Sequence, residues 1–124
     1  MQIKKHIIAG AVFAAFLLFK PGHAETPDRG RQLFESRCSG CHALDNERQG
    51  PRLRGVVGRN AGAVKSFTYS NALKASRITW DAASLDKWLA DPEKLIPDND
   101  MAFRMPNPDE RAAVLAFLQR LSGK

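Results

Sequence analysis

The string Cys38-Ser39-Gly40-Cys41-His42 constrains this chain more than any other feature. It holds both cysteines of the 124 residues and one of the three histidines. A redox dithiol built on Cys-x-x-Cys needs a strand before the motif and a βαβ setting. Here the preceding Asp28–Arg37 is polar with helical spacing, and no Val/Ile-rich strand leads into Cys38. Structural zinc wants four ligands. The string supplies three, and His6 and His23 fall in a leader segment, so the fourth would have to be a carboxylate that no spacing recommends.

The third chemistry is covalent haem. A haem edge carries two vinyl groups, and each takes a thioether bond from a cysteine. Two intervening residues set both sulfurs along one side of a helical turn, and the adjacent histidine presents its imidazole to the iron. This reading gains weight from the N-terminus. Lys4, Lys5 and His6 precede an apolar run from Ile7 to Phe19, and Gly22-His23-Ala24 closes it with a small-x-small pattern. That is the layout of a signal peptide over residues 1–24, leaving a single domain over 25–124. The run is shorter than the roughly 20 residues of a membrane-spanning helix; the alternative is an uncleaved anchor. Export places the chain in the periplasm, outside the cytoplasm, where covalent haem is assembled.

Removal of the leader takes Lys4, Lys5 and Lys20 with it and lowers the formal charge from +6 to +3. The remaining charge is uneven, with ten Lys/Arg against five Asp/Glu from Glu25 to Trp80, and six against eight from Asp81 to Lys124. Nucleic-acid binding needs cations clustered over a face, and this distribution argues against it. A core of 100 residues is small, and chains of that size often rely on a metal or cofactor for stability.

The residue pattern is helical throughout, with no strand pattern and no internal repeat. Thr26-Pro27-Asp28 opens a helix over about Pro27–Arg37. Phe67–Lys74 has room for a short helix. Asp81 is a candidate N-cap for a helix that buries Leu85, Trp88 and Leu89 and stops before Pro92. Pro92 to Pro108, with four prolines, reads as a long loop carrying Met101 and Met105. A long ordered loop in so small a domain usually has a purpose. Asn107 and Glu110 have capping-box spacing at the start of the last helix, whose apolar stripe is Val114, Phe117, Leu118 and Leu121; Gly123 is placed to end it. The fold class is all-α, with loops wrapped around something.

The order of these parts resembles a class I c-type cytochrome, of the soluble mitochondrial and photosynthetic-bacterial kind. Beyond the haem string, the resemblance rests on Gly50-Pro51-Arg52-Leu53-Arg54-Gly55, Gly58-Arg59, Ser66-Phe67-Thr68-Tyr69, Ile78-Thr79-Trp80, Leu89-Ala90-Asp91-Pro92, Ile96-Pro97 and Met101-Ala102-Phe103. It implies helices and loops around one covalent haem, with the N- and C-terminal helices crossing where Gly30 and Phe34 meet Val114 and Phe117. It implies thioethers at Cys38 and Cys41, His42 as proximal ligand with its other ring nitrogen bonded to the Pro51 carbonyl, and Met101 as distal ligand. Arg59, Tyr69 and Trp80 would hydrogen-bond a haem propionate, and Phe103 would pack by the exposed haem edge. Met105 shares the loop with Met101, but the Ile96-Pro97 spacing and the following Phe103 match Met101.

The chain departs from the family pattern at several positions. Leu73 stands where an Asn is usual, Trp88 where a Tyr often lies on the Met side, and Asn99 where a Thr precedes the ligand Met by two. The loop between His42 and Gly50 is short, and Glu93, Asp98 and Asp100 replace part of the lysine ring found in mitochondrial relatives. The implied function is that of a monomeric one-electron carrier, not an enzyme, working between redox partner proteins with no stable membrane insertion after leader cleavage. The alternatives are a cytochrome subunit of a periplasmic dehydrogenase and a haem sensor or enzyme with a labile distal Met.

Overall fold

The computed structural model describes residues 27–123; the leader expected over residues 1–24 lies outside them. Among the described residues five α-helices occur in order: α1 Pro27–Leu33, α2 Asn71–Ala75, α3 Ala82–Ala90, α4 Pro92–Leu95 and α5 Pro108–Arg120. Among the described residues the sole β feature is an isolated antiparallel bridge between Asn60 and Thr79.

The first helix does not run on as α to Arg37. It turns into a π-helical stretch over Phe34–Cys38, closed by Ser39 N–H on the Phe34 carbonyl at 3.0 Å. A π-turn admits an extra residue and rotates the chain beyond it; the segment it rotates here is the Cys38–His42 string. Upstream, α1 lies across α5. Gly30 makes the crossing possible, because a Cβ at that position would strike the Ala113 carbonyl oxygen and come within 2.8 Å of Phe117 Cβ. Phe34 then stacks at a tilt on Phe117, ring centroids 5.6 Å apart.

Local chemistry sets the other helix starts. The Ser70 hydroxyl accepts from Leu73 N–H and opens α2. Asp81 and Ser84 form a reciprocal capping box on α3. The break at Pro92 is not the start of an open loop. Asp91 caps the end of α3 and, through its carboxylate, the start of α4, where Pro92 occupies the first turn and costs no hydrogen bond. Asn107 caps α5 by accepting from both Asp109 and Glu110 N–H. At the far end α5 stops at Arg120, and Gly123 is not among the glycines with positive φ; its N–H and that of Ser122 simply bond the Gln119 carbonyl.

The expected stripe on α5 is buried at Val114, Phe117 and Leu118, with Leu121 half-buried. Ala113 and Leu115 are buried as well, because α5 packs against both α1 and α3. Asn107→Ala removes the acceptor for two otherwise unpaired N–H groups. It is expected to cost about 1 kcal/mol, read as a lower midpoint in guanidinium unfolding at unchanged slope.

Candidate functional site

Between the Cys38–His42 turn, the middle loops, α3, the Met101 segment and α5 the chain leaves a cleft of about 420 Å³. Its walls are mainly apolar, with Leu53, Val56, Leu85, Leu89, Val114 and Leu118 among them. Cys38, Cys41, His42, Arg59, Tyr69, Trp80 and Met101, drawn from widely separated parts of the chain, all line it.

His42 is held by its loop. Its Nδ1 lies 2.8 Å from the Pro51 carbonyl oxygen. A carbonyl can only accept, so Nδ1 carries the proton and Nε2 keeps its lone pair for a metal. Burial pulls the imidazole below its ordinary pKa, against the opposing pull of the Pro51 bond. Gly50 lies directly against the ring: a Cβ there would sit 2.6 Å from Nδ1. The Gly50 N–H bonds the Cys41 carbonyl at 2.8 Å, tying this loop back to the cysteine turn.

Of the two thiols, Cys38 is partly buried, and desolvation pushes it up to about 11. Cys41 is exposed and donates weakly to Gln49 Oε1 at 3.4 Å. The two are not joined in a disulfide.

Three donors converge on the cleft from the middle loops. Arg59 is half-buried and spends Nη1 and Nη2 on the carbonyls of Arg52 and Arg54, at 2.7 and 2.6 Å. Those partners are neutral, so the guanidinium charge is oriented but not cancelled, and burial lowers its pKa. The Tyr69 hydroxyl accepts from Val64 N–H at 3.3 Å; its own proton finds no acceptor among the described residues. The indole N–H of Trp80 likewise has no protein acceptor among them, although the ring is 7% exposed. A cation and two donors without acceptors, lining an apolar cleft, suit a ligand with carboxylate groups.

The two methionines of the Pro-rich segment part company. Met105 is fully buried in the core, away from the cleft lining, and its N–H bonds the Leu89 carbonyl at 2.7 Å. Met101 lines the cleft, with its N–H on Asn99 Oδ1 at 2.7 Å. Arg111 secures the split. It is 12% exposed, pairs with Asp86 at 2.7 Å, and donates to the carbonyls of Met105 and Pro106, both at 2.9 Å. No sequence pattern announces Arg111, because its partner Asp86 lies 25 positions away on another helix. Asn99 has a local signal, a side-chain amide two residues before the N–H it accepts from.

A family model for cytochrome c matches residues 27–122. The chain belongs to the cytochrome c family. It is 40% identical over 105 residues to a cytochrome c2 of Rhodomicrobium vannielii, covering 82% of this chain and 83% of that one. It is 36% identical over 96 residues to a cytochrome c of Chlamydomonas reinhardtii, covering 74% and 86% of the two chains. Among solved structures it is similar to cytochrome cH from Methylobacterium extorquens, with a TM-score of 0.72 and 38% identity over 76% of this chain and 97% of that one. Like the rest of the family it is a class I fold that binds covalently attached haem c with its iron, and it is an electron carrier, not an enzyme.

The cleft fits that group. Two thiols, one imidazole with a free Nε2, one thioether, apolar walls, and donors suited to two propionates are the chemistry a haem c requires. Among the described residues no helix is long and apolar enough to cross a membrane.

Proposed function

We propose that this cytochrome c is a periplasmic one-electron shuttle whose haem is bonded through Cys38 and Cys41 and ligated by His42 and Met101. The observation that carries this reading is the pairing of His42 Nδ1 with the Pro51 carbonyl on the same cleft that Met101 lines. When bound, the haem supplies an Fe(III)/Fe(II) couple. The chain's residues do the rest. The Pro51 carbonyl fixes the tautomer and orientation of His42 and raises its basicity. Arg59, Tyr69 and Trp80 supply charge and hydrogen bonds to propionates. The apolar walls keep water out, which disfavours the extra positive charge of the oxidised state, as does a thioether ligand.

With His42 and Met101 both holding the iron, no position would be left open for a substrate. Electrons pass instead to partner proteins at the cleft mouth, where Phe103 is half-buried and Cys41 and Gln49 are exposed. Partners would meet exposed Glu93, Asp98 and Asp100 on the Met101 side and exposed Arg48 and Arg54 on the other. Weak, salt-sensitive contacts of that kind suit rapid exchange.

The test is expression of the full chain in a host that assembles haem c, with a visible spectrum of the periplasmic fraction and an alkaline pyridine haem assay. The expected result is one haem per chain with both vinyl groups saturated, and Cys38→Ser leaving one vinyl free with its α-band moved to longer wavelength. A folded but colourless periplasmic protein overturns the proposal. So does haem that extracts into acidified organic solvent.

A further inference from the structure

The two ends of Met101 are held differently. Its sulfur accepts from the Trp88 Nε1–H at 3.1 Å. Its backbone N–H donates to Asn99 Oδ1 at 2.7 Å, the last link of a chain that starts outside the cleft lining. Asn99 Nδ2 donates to the Ile96 carbonyl at 2.9 Å and to Glu93 Oε2 at 3.2 Å. The other oxygen of that carboxylate, Oε1, accepts from Asp98 N–H at 3.0 Å. Glu93 follows Pro92 in the single turn of α4, so its carboxylate stands beside the turn that comes next. In that turn Asp98, with φ of 62°, is the one non-glycine residue at positive φ among the described residues.

We infer that Glu93 is a positioning residue: its carboxylate, acting through Asn99, clamps the turn that delivers Met101 and so limits how often the sulfur leaves the iron. This rests on the ligand role proposed above for Met101. A left-handed backbone is costly for a residue with a Cβ and persists where the surroundings fix it. Asp tolerates the region better than most residues, but it does not impose it. Glu93 does, because one carboxylate takes a donor from each of two consecutive residues, and bonds to a charged acceptor are stronger than neutral ones. Of the acids that replace part of the lysine ring, this one is turned to use inside the molecule. When Met101 leaves, the Fe–S bond breaks with its electron pair staying on sulfur. An entering ligand brings its own pair, so the iron stays Fe(III).

The experiment uses the haem-loaded Fe(III) protein with imidazole as the probe. Imidazole binds only after Met101 has left, so its limiting rate at high concentration reads the opening of the Met101 segment. Glu93→Ala is expected to raise that rate about fivefold, the worth of one ordinary net hydrogen bond, with the far-red charge-transfer band of Fe(III)–thioether ligation intact. Glu93→Gln keeps one acceptor oxygen and is expected to raise it less, about twofold. Asn99→Ala breaks the same chain one link later. The double variant should therefore fall well short of the product of the two single effects. Amide exchange in α1 and α5, which pack on each other, is expected to stay as in the unmodified protein.

An unchanged imidazole rate in Glu93→Ala, with the band present, overturns the inference and leaves the ligand assignment standing. Single effects that multiply in the double variant overturn the action through Asn99, and faster exchange throughout α1 and α5 shows general loosening and overturns the clamp. Absence of the band in the unmodified protein overturns the ligand assignment, and the inference with it. If the Glu93 variants take up no haem, the unmodified protein decides. Its Asn99 side-chain amide protons should show a nuclear Overhauser contact to the Glu93 γ-methylene, and no such contact overturns the inference.

Discussion

In the haem-loaded protein, Met101→Ala is expected to abolish the far-red charge-transfer band, to let carbon monoxide and cyanide bind quickly, and to lower the midpoint potential by roughly 100 mV or more, a modest part of the ~0.8 V that axial ligation spans. Met101 lines the cleft, and its sulfur has one donor partner, Trp88. The control is Met105→Ala. Met105 is 0% exposed and lies outside the cleft lining, so its truncation should cost about 2–5 kcal/mol of stability through lost packing and a cavity while the spectrum stays six-coordinate. Visible and near-infrared spectra with a ligand-binding time course separate the two. If both variants keep a six-coordinate spectrum, Met101 is not the ligand.

The second large effect concerns the crossing of α1 and α5. Gly30→Val would drive a branched side chain into the Ala113 carbonyl and the Phe117 side chain. One of those atoms is backbone on a buried helix, so it cannot swing aside as a flexible side chain would. The helices must separate, and the Phe34–Phe117 contact beneath them opens. A loss of about 3 kcal/mol is expected, at the upper end of overpacking costs, measured by guanidinium unfolding of the haem-loaded protein. The π-helical stretch that carries Cys38 begins at Phe34, so the yield of haem-loaded protein should fall with stability. Gly40→Val is the matched control, because nothing lies within 4 Å of a Cβ there; near-wild-type stability is expected for it.

The parts of this protein legible in the sequence are those encoded over a few residues. Caps at Asp81 and Asn107 place helix starts because a side-chain oxygen reaches an N–H two or three positions on. The apolar spacing of Val114, Phe117 and Leu118 marks the buried face of α5 because helix geometry repeats at that interval. Pro92 was harder to read. It ends one helix, yet it also starts α4, since a proline in a first turn forfeits nothing. The π-turn over Phe34–Cys38 has no local signal in the residues that form it.

By itself the sequence determined the haem string and the helix starts set by caps, because each depends on neighbours along the chain; the pairing of His42 with the Pro51 carbonyl was implied by the family resemblance. The tertiary structure alone decided which contacts hold Met105 in the core and Met101 at the cleft, where the indole N–H of Trp88 points, and that the charge on Arg59 is oriented by backbone carbonyls instead of being neutralised by an acid. The physical reason is range. Met105 is drawn inward by the Leu89 carbonyl and by Arg111, and Met101 is held at the cleft by Trp88; all three bonds join separate elements of the fold, where spacing along the chain carries no record of them.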